Sequence, residues 1–145
     1  MNLYTIGFTK KSAEQFFESV AGARVQRIID VRLNNVSQLA GFAKRDDLSY
    51  LLMKICNVEY VHEPRLAPTQ ELLRAYRKKS LKWSEYELAF NSLMAERRVD
   101  DWMDADWLNQ SCLLCSEAEP AFCHRRLVAD TAQRKHPTLQ IHHLT

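Results

Sequence analysis

Apolar residues fall into two alternating rhythms along this chain. Short apolar stretches predict strands at Asn2–Ile6, which ends at Gly7, at Val25–Val31, at Val58–His62, at Ser111–Cys115 and at Leu139–Leu144. Between them the spacing becomes helical. Ser12-Ala13-Glu14-Gln15 is a capping box that opens a helix whose apolar face carries Phe16, Phe17, Val20 and Ala21, with Gly22 at its end. Asp46 or Asp47 is expected to cap the next helix, where Leu48, Leu51, Leu52 and Ile55 recur at i, i+3, i+4, i+7. Thr69 opens a helix through Lys79, and Ser84-Glu85-Tyr86-Glu87 reads as a second capping box ahead of buried Phe90, Leu93 and Met94. The acidic stretch Asp100–Asp106, with Trp102 beside Trp107, reads as a loop or short helix closing on the core. A last helix covers Arg125–Arg134 and stops at His136-Pro137.

Strands that alternate with helices imply a mostly parallel open sheet of about five strands with helices on both faces, a Rossmann-like three-layer α/β fold. Right-handed crossovers then bring the carboxyl ends of the parallel strands to one rim. Ligands of such sheets bind outside that rim. The residues just past the strands are therefore the place to look for chemistry. They are Gly7; Asp30 and Arg32; His62; and, after the fourth strand, Glu117, Cys123, His124 and Arg125. Asn34–Lys44 lacks clear periodicity and is expected to be a loop over the site.

Composition narrows the class. At 145 residues the chain is expected to be a single α/β domain, 1–145, and 3 glycines and 4 prolines argue against disorder or a turn-rich all-β fold. No leader is recognisable at the start and no apolar run approaches the ~20 residues that span a bilayer, so the expected compartment is the cytoplasm and no membrane partner is expected. The four cysteines should then be reduced. A net charge of +2 is too small to establish a nucleic-acid partner, although Arg74, Arg77, Lys78, Lys79 and Lys82 form a basic run with Tyr76 and Trp83 among them.

The final cluster carries the sharpest signal. A helix that opens on Cys123-His124-Arg125-Arg126 offers unpaired N–H groups and a partial positive charge, which suit an anion and lower a thiol pKa. Cys123 is the candidate nucleophile; Glu117, His62 and His124 are candidate acid–base groups. Gly7, Asp30, Arg32 and Arg125 are candidate substrate-binding residues, with Arg125 and the helix start forming an anion-binding corner. Cys112 and Cys115 lie three apart in one strand and so point to opposite faces. His142 and His143 read as bland surface residues of the terminal strand. The spacing of His62, Cys115, Cys123 and His124 fits no standard zinc pattern, so neither metal nor cofactor is expected.

Leu3-Tyr4-Thr5-Ile6-Gly7, Asp30-Val31-Arg32, Tyr60-x-His62 and Leu114-Cys115-x-Glu117-x-x-Pro120-x-x-Cys123-His124-Arg125 together resemble the family called domain of unknown function 488. The resemblance runs from the first strand to the last helix. It implies a cytosolic α/β domain whose motif residues belong together, and it supplies no substrate. Phe8-Thr9 stands where members often have serine or histidine after the first glycine, and Asn34-Asn35 where small or proline-containing turns are common.

Three functions fit these residues. The first is an enzyme acting on a small anionic substrate, a nucleotide or phosphorylated metabolite. The second is a nucleic-acid-binding or nucleic-acid-processing module, and the third a ligand-binding domain without turnover. A cysteine phosphatase is disfavoured, because Arg125 follows Cys123 by two positions and leaves no loop to wrap a phosphate. The chain has neither a G-x-G-x-x-G nor a P-loop.

Overall fold

The computed structural model describes residues 1–36 and 41–145. Its centre is a five-stranded, all-parallel sheet of β1 (Asn2–Gly7), β2 (Arg27–Asp30), β3 (Glu59–His62), β4 (Ser111–Cys115) and β5 (Gln140–Leu144), in the order β3-β2-β4-β1-β5. The parallel α/β expectation holds, and β5 is an edge strand as expected. The helices are α1 (Ala13–Gly22), α2 (Arg45–Leu51), α3 (Gln70–Arg77), α4 (Trp83–Glu96), α5 (Ala105–Leu108) and α6 (His124–Lys135). Among the described residues no helix is long and apolar enough to cross a membrane.

Alternation along β4 shows how the layers are built. Cys112 and Leu114 pack with Ile6, Ile28, Phe16, Val20, Leu48 and Leu52 on the face that carries α1 and α2. Leu113 and Cys115 pack with Leu3, Ile29, Phe90, Met94, Leu127 and Val128 on the face that carries α4 and α6. A period of two divides one apolar strand between two cores, and Cys112 and Cys115 do fall on opposite faces.

Several boundaries move for local reasons. The Ser12 box forms as read, with the Gln15 N–H donating to Ser12 Oγ at 3.1 Å and the Ser12 N–H to Gln15 Oε1 at 2.9 Å. Gly22 is the last residue of α1, as expected, and the left-handed corner falls two residues on, at Arg24 with φ 57°. Lys44, not Asp46 or Asp47, is the cap of α2; the two aspartates sit in the first turn, where the helix dipole favours them. A π-helical turn, Leu52–Cys56, continues α2 and rotates Ile55 to 58% exposure, so Ile55 drops out of the apolar face. The second box shifts too: Lys82 is the cap of α4, and its N–H donates to Glu85 Oε1 at 3.0 Å. Part of the expected Asn34–Lys44 loop, residues 37–40, lies outside the described residues; Gly41–Ala43 is a 3-10 turn.

Topology fixes where a site can form. The connections after β1 and β2 run to α1 and α2 on one face, whereas the connection after β4 runs to α6 on the other. Adjacent strands β2 and β4 therefore send their chains to opposite faces, which opens a crevice at their carboxyl ends. The far side of that crevice is held by β1. Gly7 lies opposite Cys115 in the ladder, and a Cβ added to Gly7 would stand 1.6 Å from the backbone oxygen of Glu117 and 3.0 Å from Nη1 of Arg125. The glycine is required by this close approach of backbones and not by a left-handed conformation.

Gly7→Ala is expected to lower stability by at least about 3 kcal/mol, because backbone and not a flexible side chain must move. Gly22→Ala meets nothing within 4 Å, and a gain of about 0.5–1 kcal/mol is expected from the helix it belongs to. Urea unfolding of both variants checks the pair, and equal midpoints would show that the loop after β4 leaves β1 at no cost.

Candidate functional site

A cavity of about 370 Å³ occupies the crevice between the ends of β2 and β4. Its floor is made by Cys115 at the end of β4 and by Cys123 and His124 at the start of α6. Tyr76, Trp83, Tyr86 and Phe122 form an aromatic wall, with Trp83 stacked on Tyr86 at 5.1 Å and Tyr76 at 4.9 Å from Tyr86. Arg32, Arg77 and Lys79 bring cationic groups to the lining, and Glu117 brings a carboxylate.

The floor is a compact set of soft donors. Cys115 and Cys123 are 5% and 2% exposed, and one atom from each of Cys115, Cys123 and His124 lies within 4.8 Å of the others. His124 Nε2 stands 2.7 Å from the carbonyl oxygen of Val31, which can only accept, so Nε2 carries the proton. In the neutral ring Nδ1 is then bare, and it faces Cys115 Sγ at 3.5 Å. The two thiols are not equivalent. A hydrogen bond from Cys123 holds the Cys115 thiol below its ordinary range despite burial, aided by the charge of Arg125 and by backbone contacts at Glu117 and Ser116. Burial pushes the Cys123 thiol well up, and its bond to Cys115 adds to this. Cys123 is the N-cap of α6 with no side-chain capping bond, yet the expected lowering of its pKa is reversed. Desolvation in a dry corner outweighs the helix terminus. Cys115, weighed from sequence as a strand position and within a metal set, is the thiol whose pKa is lowered.

The remaining sequence-predicted residues surround this cavity in different roles. Asp30 is fully buried and accepts from the Arg32 backbone N–H at 3.1 Å, from Arg32 Nε and Nη2 at 2.9 Å each, and from the Tyr60 hydroxyl. Arg32 Nη2 also donates to the Ala43 carbonyl at 2.7 Å, and Phe8 packs its ring 5.2 Å from the guanidinium carbon. Arg32 Nη1 is buried and has no hydrogen-bond partner among the described residues. Arg32 lines the cavity, while Asp30 lies behind it. His62 is outside the lining: its Nε2 donates to the Arg32 carbonyl at 2.9 Å. Glu117 is an exposed residue of the lining.

Arg125 is also outside the lining, and it is fully buried. Its guanidinium donates to the Glu117 carbonyl at 2.6 Å, to the Ala118 carbonyl at 3.4 Å and to Thr5 Oγ1 at 3.3 Å. These bonds tie the loop after β4 to β1 instead of opening a guanidinium to the cavity. The same Thr5 hydroxyl meets His143 Nδ1 at 2.7 Å. His143 is an exposed residue, as expected, yet its ring reaches the edge of this network, and partial burial, then the charge of Arg125, lowers its pKa. The sequence does not assemble this aromatic wall, because Tyr86 stands there only within a capping box and Tyr76 and Trp83 as stacking residues of a basic run; only their common spacing around the α3–α4 turn joins them.

Fold and site together define a doubly wound α/β domain with a thiol–imidazole floor at its topological switch point. Residues 12–132 match the model of the family described as Domain of unknown function DUF488, and the chain belongs to that family. No curated protein and no solved structure matches the chain.

Removing charge from Asp30 strands a buried guanidinium, so Asp30→Asn is expected to cost about 3–5 kcal/mol. Tyr60→Phe, which removes one bond to the same carboxylate, is expected to cost about 1.5–3 kcal/mol. Denaturant midpoints decide: a larger loss for Tyr60→Phe than for Asp30→Asn would sink this account. A second ion pair gives a pH signature. Hydrogen bonds from Arg65 hold the Glu63 carboxyl below its ordinary range. A depressed folded pKa stabilises fully above the unfolded value, about 4.3, and the gain is lost as pH falls through the folded pKa. Glu63→Gln should therefore cost about 1 kcal/mol at neutral pH, discounted for the exposed Arg65, with the difference closing below about pH 4. Thermal unfolding across pH reads it directly.

Proposed function

We propose that the cavity binds a small anionic ligand with a planar or apolar body, of the nucleotide or phosphorylated-metabolite class, and that the thiol–imidazole floor acts on it. One observation carries the reading: Arg32 Nη1 is a buried guanidinium donor without a partner among the described residues, in a side chain that lines the cavity. Buried donors are nearly always satisfied, and an anion would satisfy this one. Arg77 and Lys79 add exposed positive charge at the same mouth, and Tyr76, Trp83, Tyr86 and Phe122 suit the flat face of a base or a ring. A volume of about 370 Å³ suits a ligand of that size.

In this reading Arg32, Arg77 and Lys79 hold the anion. Glu117 moves a proton at the mouth, and His124 holds one at the floor. Cys115 and Cys123 supply the sulfurs of the floor, either as thiols or, as developed below, as ligands. Asp30, His62, Gly7 and Arg125 are positioning residues. They set Arg32, the chain after β2, and the loop after β4. The aromatic groups favour a small molecule over a nucleic-acid strand. Tyr76, Trp83 and Tyr86 lie within 5.6 Å of one another and build one wall, whereas a strand needs stacking platforms spaced along a groove.

Calorimetric titration of the purified chain with nucleoside monophosphates, sugar phosphates and inorganic phosphate tests the proposal. Saturable binding is expected for at least one phosphorylated compound, weakened about tenfold by Arg77→Ala or Lys79→Ala, since a hydrogen bond to a charged group is worth about 1.5–3 kcal/mol. Both side chains are exposed, so these variants should fold. Binding of single-stranded DNA or RNA, steeply salt-dependent and with no response to any small phosphate, would overturn it in favour of a nucleic-acid module.

A further inference from the structure

We propose that Cys115, Cys123 and His124 form a zinc site with one coordination position open to the cavity. The three residues supply two thiol sulfurs and an imidazole nitrogen within 4.8 Å of one another. Zinc–sulfur bonds of about 2.3 Å and a zinc–nitrogen bond of about 2.0–2.1 Å, set at a tetrahedral angle, place sulfur and nitrogen about 3.6 Å apart. Cys115 Sγ and His124 Nδ1 stand 3.5 Å apart. This edge of the ligand triangle therefore has the dimension of a metal site, and the other two are no longer than 4.8 Å.

The surroundings of His124 point the same way. A ligating histidine usually donates its other ring N–H to a carbonyl or carboxylate, which fixes the tautomer and aims the bare nitrogen. Nε2 of His124 does this with the Val31 carbonyl at 2.7 Å, and Nδ1 is left facing the sulfurs. All three ligands are on stiff supports: Cys115 ends a central strand, and Cys123 and His124 are the cap and first residue of a twelve-residue helix. Two sulfurs and one nitrogen suit zinc, and three protein ligands with a fourth place free is the pattern of a catalytic and not a structural zinc. All three residues line the cavity, so the fourth place faces whatever enters it. The spacing reading missed this set because its ligands come from a strand end and a helix start that only the tertiary fold joins. His62, weighed with them from sequence, is held elsewhere by the Arg32 carbonyl.

This inference goes beyond anion binding and stands without it, because metal content and phosphate titration are separate measurements. The chain is purified under reducing conditions without a metal-binding tag, and metal is measured by mass spectrometry. Close to one zinc per chain is expected. Cobalt exchanged for zinc should give sulfur-to-metal charge-transfer absorption and the strong visible bands of a tetrahedral ion. Cys115→Ser, Cys123→Ser and His124→Gln should each weaken zinc affinity at least tenfold, and Cys56→Ser, outside the site, should leave it unchanged. Should a buried-thiol variant fail to fold, zinc-edge X-ray absorption on the unaltered protein still decides. Two sulfur neighbours and at least one imidazole are expected. No zinc above the level of the Cys115→Ser, Cys123→Ser double variant, or a shell of oxygen and nitrogen alone, would overturn the proposal.

Discussion

Arg125 carries a positive charge into the centre of the molecule, and everything at the rim is arranged around it. The side chain is fully buried, and all its hydrogen bonds among the described residues go to neutral oxygens: the carbonyls of Glu117 and Ala118 and the hydroxyl of Thr5. A buried charge of this kind is costly unless its donors are satisfied. Satisfying them requires the chain after β4 to fold back until its carbonyls meet the guanidinium. That path brings the Glu117 carbonyl against β1, where any residue with a Cβ would block it. Gly7, Glu117 and Arg125 are thus three parts of one constraint, though they lie far apart in sequence. The field of Arg125 reaches the neighbouring groups as well. It favours ionisation of Cys115 and opposes protonation of His143.

A second buried guanidinium, that of Arg32 past the end of β2, follows the opposite logic. Arg32 has a carboxylate, Asp30, on two of its nitrogens, and that pair is closed on its protein side by Tyr60 and the Ala43 carbonyl. Its remaining nitrogen is the exception. One arginine therefore spends its donors on holding the loop after β4, and the other keeps one buried donor without a partner among the described residues after the chain past β2 has been secured. His62 extends this second arrangement by donating to the Arg32 carbonyl. The division explains why the positively charged residues of the motif are not interchangeable, although both read as anion-binding in the sequence.

The parts of the fold that were legible depend on local chemistry. Strands appeared as apolar stretches, the Ser12 box formed as spelled, and the period of two along β4 separated Cys112 from Cys115 correctly. Errors arose where the backbone chose between near-equivalent local solutions. A π-turn took Ile55 out of its face, and Lys82 displaced Ser84 as a cap. The site was legible as a set of strand ends but not as a set of roles. Sequence places Cys123 at a helix start and predicts an easily ionised thiol; it does not show that the strand-end Cys115 lies beside it under the same cover. Burial and neighbour identity come from tertiary packing, and here they reverse the order of the two thiols.

Stiffness also differs systematically between the two ends of the cavity, and this bears on how one fold could serve varied ligands. The floor donors are fixed by the backbone itself, through a central strand, a helix cap and the bond from His124 to Val31. The mouth is built from exposed side chains: Arg77 and Lys79 around the α3–α4 turn, and Phe122 ahead of α6. Exposed side chains change rotamer at low cost, whereas a buried ligand set cannot move without opening the core. Chemistry requiring fixed distances therefore belongs at the floor, and recognition that tolerates variation belongs at the mouth. Arg32 sits between them, locked by Asp30 and belonging to the cavity lining, with one buried nitrogen that has no partner among the described residues.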